Sequence, residues 1–278
     1  MVIDAHTHLL PPGFRDRLAE LRRRDATFAT LFPTDDARLA TADDLVAAME
    51  RDGVQTSVAV GYGWCDPAVA REANDYLLAS AEAHTGRIVP FVSVHPGWGD
   101  AALAEVERSA AAGARGIGEF HLASQRIDLP HGDGMPELMA LAARLGLPVL
   151  VHGSEPVGHA YPGKGDTTPD KLMALAQAYP GTTFIFAHWG GGLPFYALMP
   201  EVWAALTNVY FDSAASPFLY GADVFAAVTG VVGADRVLFG SDFPLLSARR
   251  SADQARTVLP QDDAAAVLHG NAARLFGL

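Results

Sequence analysis

Ile3-Asp4-Ala5-His6-Thr7-His8 stands almost at the start of the chain. It is short, mixes apolar with polar residues and contains β-branched side chains, which reads as a strand. Side chains on a strand alternate faces with period 2, so Asp4, His6 and His8 are expected to share a face. Two imidazoles two residues apart on one face can hold a common metal ion. The plain alternative is that both histidines are packed or surface residues without chemical work.

Working outward, Leu9-Leu10-Pro11-Pro12-Gly13 reads as a turn. Residues 14–25 read as a short, Arg-rich helix, and 26–40 as an irregular loop. Together they form an insertion after the first strand, expected to sit over the face the histidines occupy. Thr41 then caps a helix with an acidic first turn that ends near Gly53. Beyond it the pattern becomes regular. Short apolar runs are expected as strands at 56–60, 88–94, 114–120, 148–152, 183–188, 209–212 and 236–242. Helices are expected between them at 68–84, 101–112, 135–145, 169–179, 193–206, 222–231 and 248–258, with a last one at 262–276.

Strand starts recur at about 30 residues, the length of one βα unit. Near-continuous apolar strands alternating with helices imply a parallel sheet covered on its outer side. With the first strand there are eight units, which predicts an α/β fold, a (β/α)8 TIM barrel with a short helical insertion after strand one. A single domain over 1–278 is expected, since barrels reach this length as one unit. No Gly-x-Gly-x-x-Gly follows the first strand and no Gly-Lys-Ser/Thr loop occurs, so nucleotide binding has no support.

Composition narrows the partners. Half the residues are hydrophobic and 19% are charged, enough for a large buried core. A net charge of −12 argues against nucleic acid and against an anionic membrane surface, and leaves a small molecule as the expected partner. Cys65 is the single cysteine, so no internal disulfide forms. No apolar run of ~18 residues is present. With no export signal near Met1, a cytoplasmic location is expected.

The barrel's active site lies at the C-terminal ends of its strands. His6 and His8 end strand one, Glu119 lies near the end of strand four, His152 ends strand five, His188 strand six and Asp242 strand eight. Each follows apolar positions, as Leu150 precedes His152 and Phe186 precedes His188. Ionisable groups gathered in a buried mouth need a counter-charge, which one or two divalent cations would supply. Nitrogen and carboxylate donors without thiolate suit zinc, manganese, iron or nickel.

Four pieces carry a resemblance: Asp4-Ala5-His6-Thr7-His8, Val151-His152-Gly153, Ala187-His188-Trp189-Gly190-Gly191 and Phe239-Gly240-Ser241-Asp242-Phe243-Pro244. With the ending Gly270-Asn271-Ala272-Ala273-Arg274-Leu275-Phe276, they resemble the amidohydrolase superfamily. The closer likeness is to the metal-dependent barrels that include the relatives of aminocarboxymuconate-semialdehyde decarboxylase. The resemblance implies that His6, His8, His152 and Asp242 hold a metal, most simply zinc. It implies that His188 is a second-metal ligand or, in single-metal members, a proton-transfer residue. Gly116-Ile117-Gly118-Glu119-Phe120 departs from the decarboxylase pattern and is similar to the fourth strand of TatD-type hydrolases, where the glutamate can bridge two metals. The implied reaction is hydrolysis of an amide, lactone or ester by metal-activated water, with Asp242 moving the proton. The alternative of the same fold is non-oxidative decarboxylation of a small substituted carboxylic acid, with proton transfer from His188 or Asp242. A barrel that binds metal without catalysis is the alternative of another class. The resemblance also allows a homodimer.

Other residues have weaker cases. His121, two past Glu119, is expected to reach substrate, as is the aromatic Trp64 in Gly61-Tyr62-Gly63-Trp64-Cys65. Asp212 is expected to orient a ligand histidine, and Asp4 to be structural. His95 is expected in a hydrogen-bonded loop, and His84, His131, His159 and His269 as solvated or locally bonded. Residues 154–168, rich in Gly and Pro, are long enough for a lid. No Arg or Lys lies in the strand-end motifs to declare an anionic substrate.

Overall fold

The eight apolar runs become eight parallel strands. The computed structural model describes residues 1–278. The strands are β1 (Ile3–His8), β2 (Thr56–Val60), β3 (Ile88–Val92), β4 (Gly116–Phe120), β5 (Val149–Val151), β6 (Phe184–Phe186), β7 (Val209–Asp212) and β8 (Val237–Leu238), paired in chain order. The sheet closes on itself, because the Ala5 amide donates to the Phe239 carbonyl at 2.7 Å and the His8 amide to that of Phe243 at 2.7 Å. This is the TIM barrel expected.

Alternation places the core. Ile3, Ala5, Val58, Val60, Val89 and Phe91 belong to a cluster of 12 buried residues filling the barrel's interior. Intervening positions, such as Val149, Val151, Phe184 and Phe186, belong to the 48-residue cluster between strands and helices. Both faces are dry, so the strands read as continuous apolar runs. Each fully buried Leu or Phe contributes about 1.5–3 kcal/mol. The last helix, Asn271–Phe276, closes the end opposite the strand-end histidines, and Phe276 meets Phe91 edge to face with centroids 5.5 Å apart. Gly116 makes room for that ring, since a Cβ there would lie 2.3 Å from it.

Three expectations change. Residues 26–40 are not wholly irregular, because Ala26–Leu31 is helical. Asp25 accepts from the Phe28 amide as its N-cap, and buried Phe28 anchors it. The single helix expected at 193–206 is two, Leu193–Tyr196 and Pro200–Ala205, because Pro200 cannot continue a helix begun before it. Several strands are shorter than their apolar runs. β8 covers only Val237–Leu238, and residues up to Asp242 form the turn beyond it. The helix Ala42–Asp52 begins as expected, with a reciprocal Thr41–Asp44 capping box, and ends at Gly53 with φ 75°.

Candidate metal centre

Strict alternation does not aim the ionisable side chains; local breaks in it do. Ile3 and Ala5 face the interior, so Asp4 does not share a face with the histidines as expected. The β1–β2 register shifts between Asp4 and Thr7, and beyond the shift the His6 and His8 rings converge. The β4–β5 register shifts between Ile117 and Phe120, both in the outer layer, and the shift releases Glu119 to the mouth. His188 follows Ala187 of the inner layer, and its φ of 56° turns the chain. Asp242 has φ 65°. Left-handed backbone is uncommon for such residues and costs about 1–3 kcal/mol when imposed by surrounding structure.

The result is a ring of donors. His6 Nε2 lies 3.1 Å from His8 Nε2, and Glu119 Oε2 lies 3.5 Å from each. Asp242 Oδ1 is 3.3 Å from His8 Nε2 and 3.9 Å from His6 Nε2. The other oxygen of Glu119 faces His152 Nδ1 at 3.0 Å and His188 Nε2 at 3.4 Å. Two donor triads result, His6/His8/Glu119 and Glu119/His152/His188, each with its ligating atoms within 4.8 Å of one another. All six predicted strand-end residues are thus brought together, with Glu119 between the two halves.

Tautomers follow from the outer partners. His6 Nδ1 donates to Asp212 Oδ2 at 2.8 Å, His8 Nδ1 to the Val60 carbonyl at 3.2 Å, and His188 Nδ1 to the Ala214 carbonyl at 3.1 Å. Each acceptor fixes the proton on Nδ1 and leaves a lone pair on Nε2. Asp212, placed at the end of β7, also accepts from the His188 and Ala214 amides, which suits its expected orienting role. Two neutral lone pairs 3.1 Å apart, ringed by carboxylate oxygens, repel unless a cation lies among them. Donors ~2.1 Å from a common ion are themselves about 3–3.5 Å apart, and these separations match. The Nε2 atom of His152 is buried without a hydrogen-bond partner, another donor without a use inside the protein. The residues therefore fit a divalent cation.

The carboxylates favour positive charge of either kind among these rings, a bound proton or a cation. Burial pushes the His188 imidazolium down, but Glu119 and Asp242 outweigh it and raise its pKa to about 9. Burial likewise opposes charge on His6, and Asp212 and Glu119 raise it well above the usual histidine value. Burial lowers His152 to about 4 despite Glu119, and lowers His8. Burial raises the two carboxyls, yet His121 and His6 hold Glu119, and His8 with His6 holds Asp242, well below the usual range.

Above the donors lies a cavity of about 540 Å³. Its lining includes His121, whose Nε2 is 3.1 Å from Glu119 Oε2 but not aligned for a hydrogen bond. Trp64 does not line it, contrary to expectation. Its ring is fully buried against Phe14, Phe28 and Tyr62, because the insertion needs an aromatic core of its own. Tyr62, itself largely buried, lines the cavity instead, stacked on His8 at 4.1 Å. His159, exposed as expected, also lines the cavity with Tyr161 from the 154–168 loop. Arg38 also lines it, from the insertion, where no strand-end motif could reveal it. His95 is bonded to the Gln125 carbonyl, as its loop role predicts.

The comparisons bear on this geometry. The amidohydrolase family model Amidohydro_2 matches residues 3–278. The comparison with curated protein sequences finds no match to this chain. Among solved structures, 5-carboxyvanillate decarboxylase LigW from Sphingomonas paucimobilis is 17% identical, with 100% of this chain and 99% of that chain covered and a TM-score of 0.78. Dihydroxybenzoic acid decarboxylase from Polaromonas sp. JS666, solved with manganese and 2-nitroresorcinol, is 19% identical, with 100% and 97% covered and a TM-score of 0.75. 5-Carboxyvanillate decarboxylase from Novosphingobium aromaticivorans DSM 12444, also with manganese, is 17% identical, with 100% and 96% covered and a TM-score of 0.79. These likenesses overturn the expectation of hydrolysis in favour of its alternative, since the three solved structures named above are decarboxylases. The donor pattern misled because it positions a metal and does not say which bond is broken. The preference for zinc is not supported either, the metal named in these structures being manganese. By its closed barrel, its ring of strand-end donors and a family match from residue 3 to residue 278, the chain belongs to the amidohydrolase family.

Proposed function

We propose that the protein is a metal-dependent non-oxidative decarboxylase of a small hydroxy- or amino-substituted carboxylic acid. The observation that carries the reading is the end-to-end likeness to decarboxylase barrels, two of them with manganese, in a chain whose own donors fit a divalent cation. His6, His8, Glu119 and Asp242 would hold the ion, with His152 and His188 on the far side of Glu119. A mixed nitrogen and oxygen set accepts manganese as well as zinc. When bound, the cation would anchor the substrate's carboxylate and adjacent oxygen and lower the cost of charge developing there.

The chain's residues supply the rest. Asp242 has the most exposed side chain of the carboxylates in the ring, at 14%, so it faces a bound acid. It starts ionised, as its imidazole neighbours dictate, and is placed to take the proton of the substrate's hydroxyl. It then returns that proton to the carbon bearing the carboxylate. The bond between that carbon and the carboxylate breaks, carbon dioxide leaves, and a solvent proton restores the hydroxyl of the product. His188 positions Glu119 from the opposite side, and Tyr62 offers a flat face beside His8 for a ring. No helix is long and apolar enough to cross a membrane.

The test loads the full chain with manganese and supplies carboxyl-labelled hydroxybenzoates in heavy water. Labelled carbon dioxide and a phenol bearing deuterium at the vacated carbon are expected, along with metal on elemental analysis of the purified protein. A panel of hydroxy- and amino-aryl acids that yields no labelled gas overturns the reading.

A further inference from the structure

The cavity is larger and more divided than one ring requires. Its volume of about 540 Å³ lies in the range that encloses a drug-sized ligand. An acid of a single ring fills only part of such a space. The floor is polar, built from strand ends such as His8, Glu119, His152 and Asp242. Thr34, Arg38 and His159 give the outer wall some polar members, but its apolar part comes from three segments beyond the strand ends. These are Leu31 and Phe32 of the insertion, Phe218 and Leu219 after β7, and Pro244 with Leu245 after β8. Phe218 is 52% exposed and Leu245 49%, although both line the cavity. A single exposed apolar side chain needs no explanation, but three loops converging on one cavity mark a surface made for an apolar ligand.

We infer that the acid taken by this site carries a second apolar ring, a biaryl hydroxy acid, whose outer ring lies among Phe32, Phe218 and Leu245. The reaction rests on the decarboxylase reading; the binding of the outer ring does not. The reacting ring sits by Tyr62 over the donors, and the second ring completes a wall that water otherwise wets. Removing that apolar surface from water is the source of the expected preference.

Calorimetric titration of the manganese-loaded full chain with 4-phenylphenol and with phenol tests the binding apart from any turnover. Phenylphenol is expected to bind at least tenfold more tightly, and Phe218→Ala with Leu245→Ala to shrink that ratio below threefold. Both are rim side chains, so the variants fold. Equal affinity for the two probes overturns the inference, as does a ratio the double variant leaves intact. Carbon dioxide release is then followed from 4-hydroxybiphenyl-3-carboxylate and salicylate. Faster release from the biphenyl acid supports the inference. The binding preference without gas from either acid sustains the outer-ring site and overturns the decarboxylase reading.

Discussion

The two ends of the barrel are built from the same eight strands and solve opposite problems. At the closed end, Phe91, Leu150, Ile185 and Phe276 lock into an apolar plug with no polar group to satisfy. At the open end, six ionisable side chains lie almost as deeply buried, and their lone pairs point at one another. One end is complete as folded, whereas the other is complete only with a cation. Stability therefore belongs to the first and chemistry to the second, and substitutions at each end should separate the two.

The largest effect is expected at the open end. Asp242→Asn keeps the size of the side chain and an oxygen near His8 but removes the carboxylate proposed as the base. Carbon dioxide release should fall by about 10²–10⁴-fold, the contribution of one positioned proton carrier, while the melting temperature hardly moves. Manganese content of the variant is measured beside its rate, so that loss of metal is told from loss of the proton carrier. Unchanged turnover would break the division of labour between the ends.

At the closed end, Phe91→Ala should reverse the pattern. The ring is fully buried, packs on Phe276, and fills space that Gly116 leaves open. Its loss should cost about 3–5 kcal/mol, read by denaturant unfolding. The folded fraction should keep its metal affinity, because no donor touches this ring.

How far each end could be read from residues alone follows from the same contrast. The closed end was legible because packing obeys periodicity, so apolar runs spaced by one βα unit implied both barrel and plug. The donors at the open end were also legible, since His6, His8, Glu119, His152, His188 and Asp242 each end or overrun an apolar run. Their aim was not. It depends on two register shifts and on left-handed backbone at His188 and Asp242, none of which alternation foretells. The cavity's walls were least legible. Trp64 and Tyr62 are two residues apart, equally aromatic and both buried, yet only the second lines the cavity. Arg38 sits in a loop and Phe218 in a one-turn helix, and only the closed fold establishes the place of either over the mouth.

Asp4 lies between the two regimes, next to the donors but sealed like the core. Its oxygen accepts from the Ser241 amide at 2.9 Å. Burial raises its carboxyl to about 7, against hydrogen bonds from Ser241 that lower it. A raised carboxyl means the folded state holds a proton that the unfolded chain has released. That costs nothing below about pH 4, grows as pH rises, and levels off above about pH 7. Asp4→Asn keeps an oxygen acceptor and cannot ionise. Its stability relative to the native chain should therefore improve from pH 4 to pH 7 and then stay constant. A stability difference independent of pH would show that Asp4 is held ionised, as a member of the open end.

The smallest effect concerns the approach to the open end. The protein carries a net charge of −12, which repels a carboxylic acid before it meets any cation. Arg38 is the one Lys or Arg lining the cavity, exposed on the insertion and away from the strand ends. It is placed to draw an anion past the acidic surface without touching the reacting bond. Arg38→Ala should raise KM by about three- to tenfold and leave kcat alone, as loss of an exposed guiding charge does. Salt screens such a charge over about 8 Å at physiological ionic strength, so native and variant KM values should converge as salt is added. A fall in kcat instead would place Arg38 on the reacting carboxylate, and the boundary between approach and chemistry would have to move outward to the insertion.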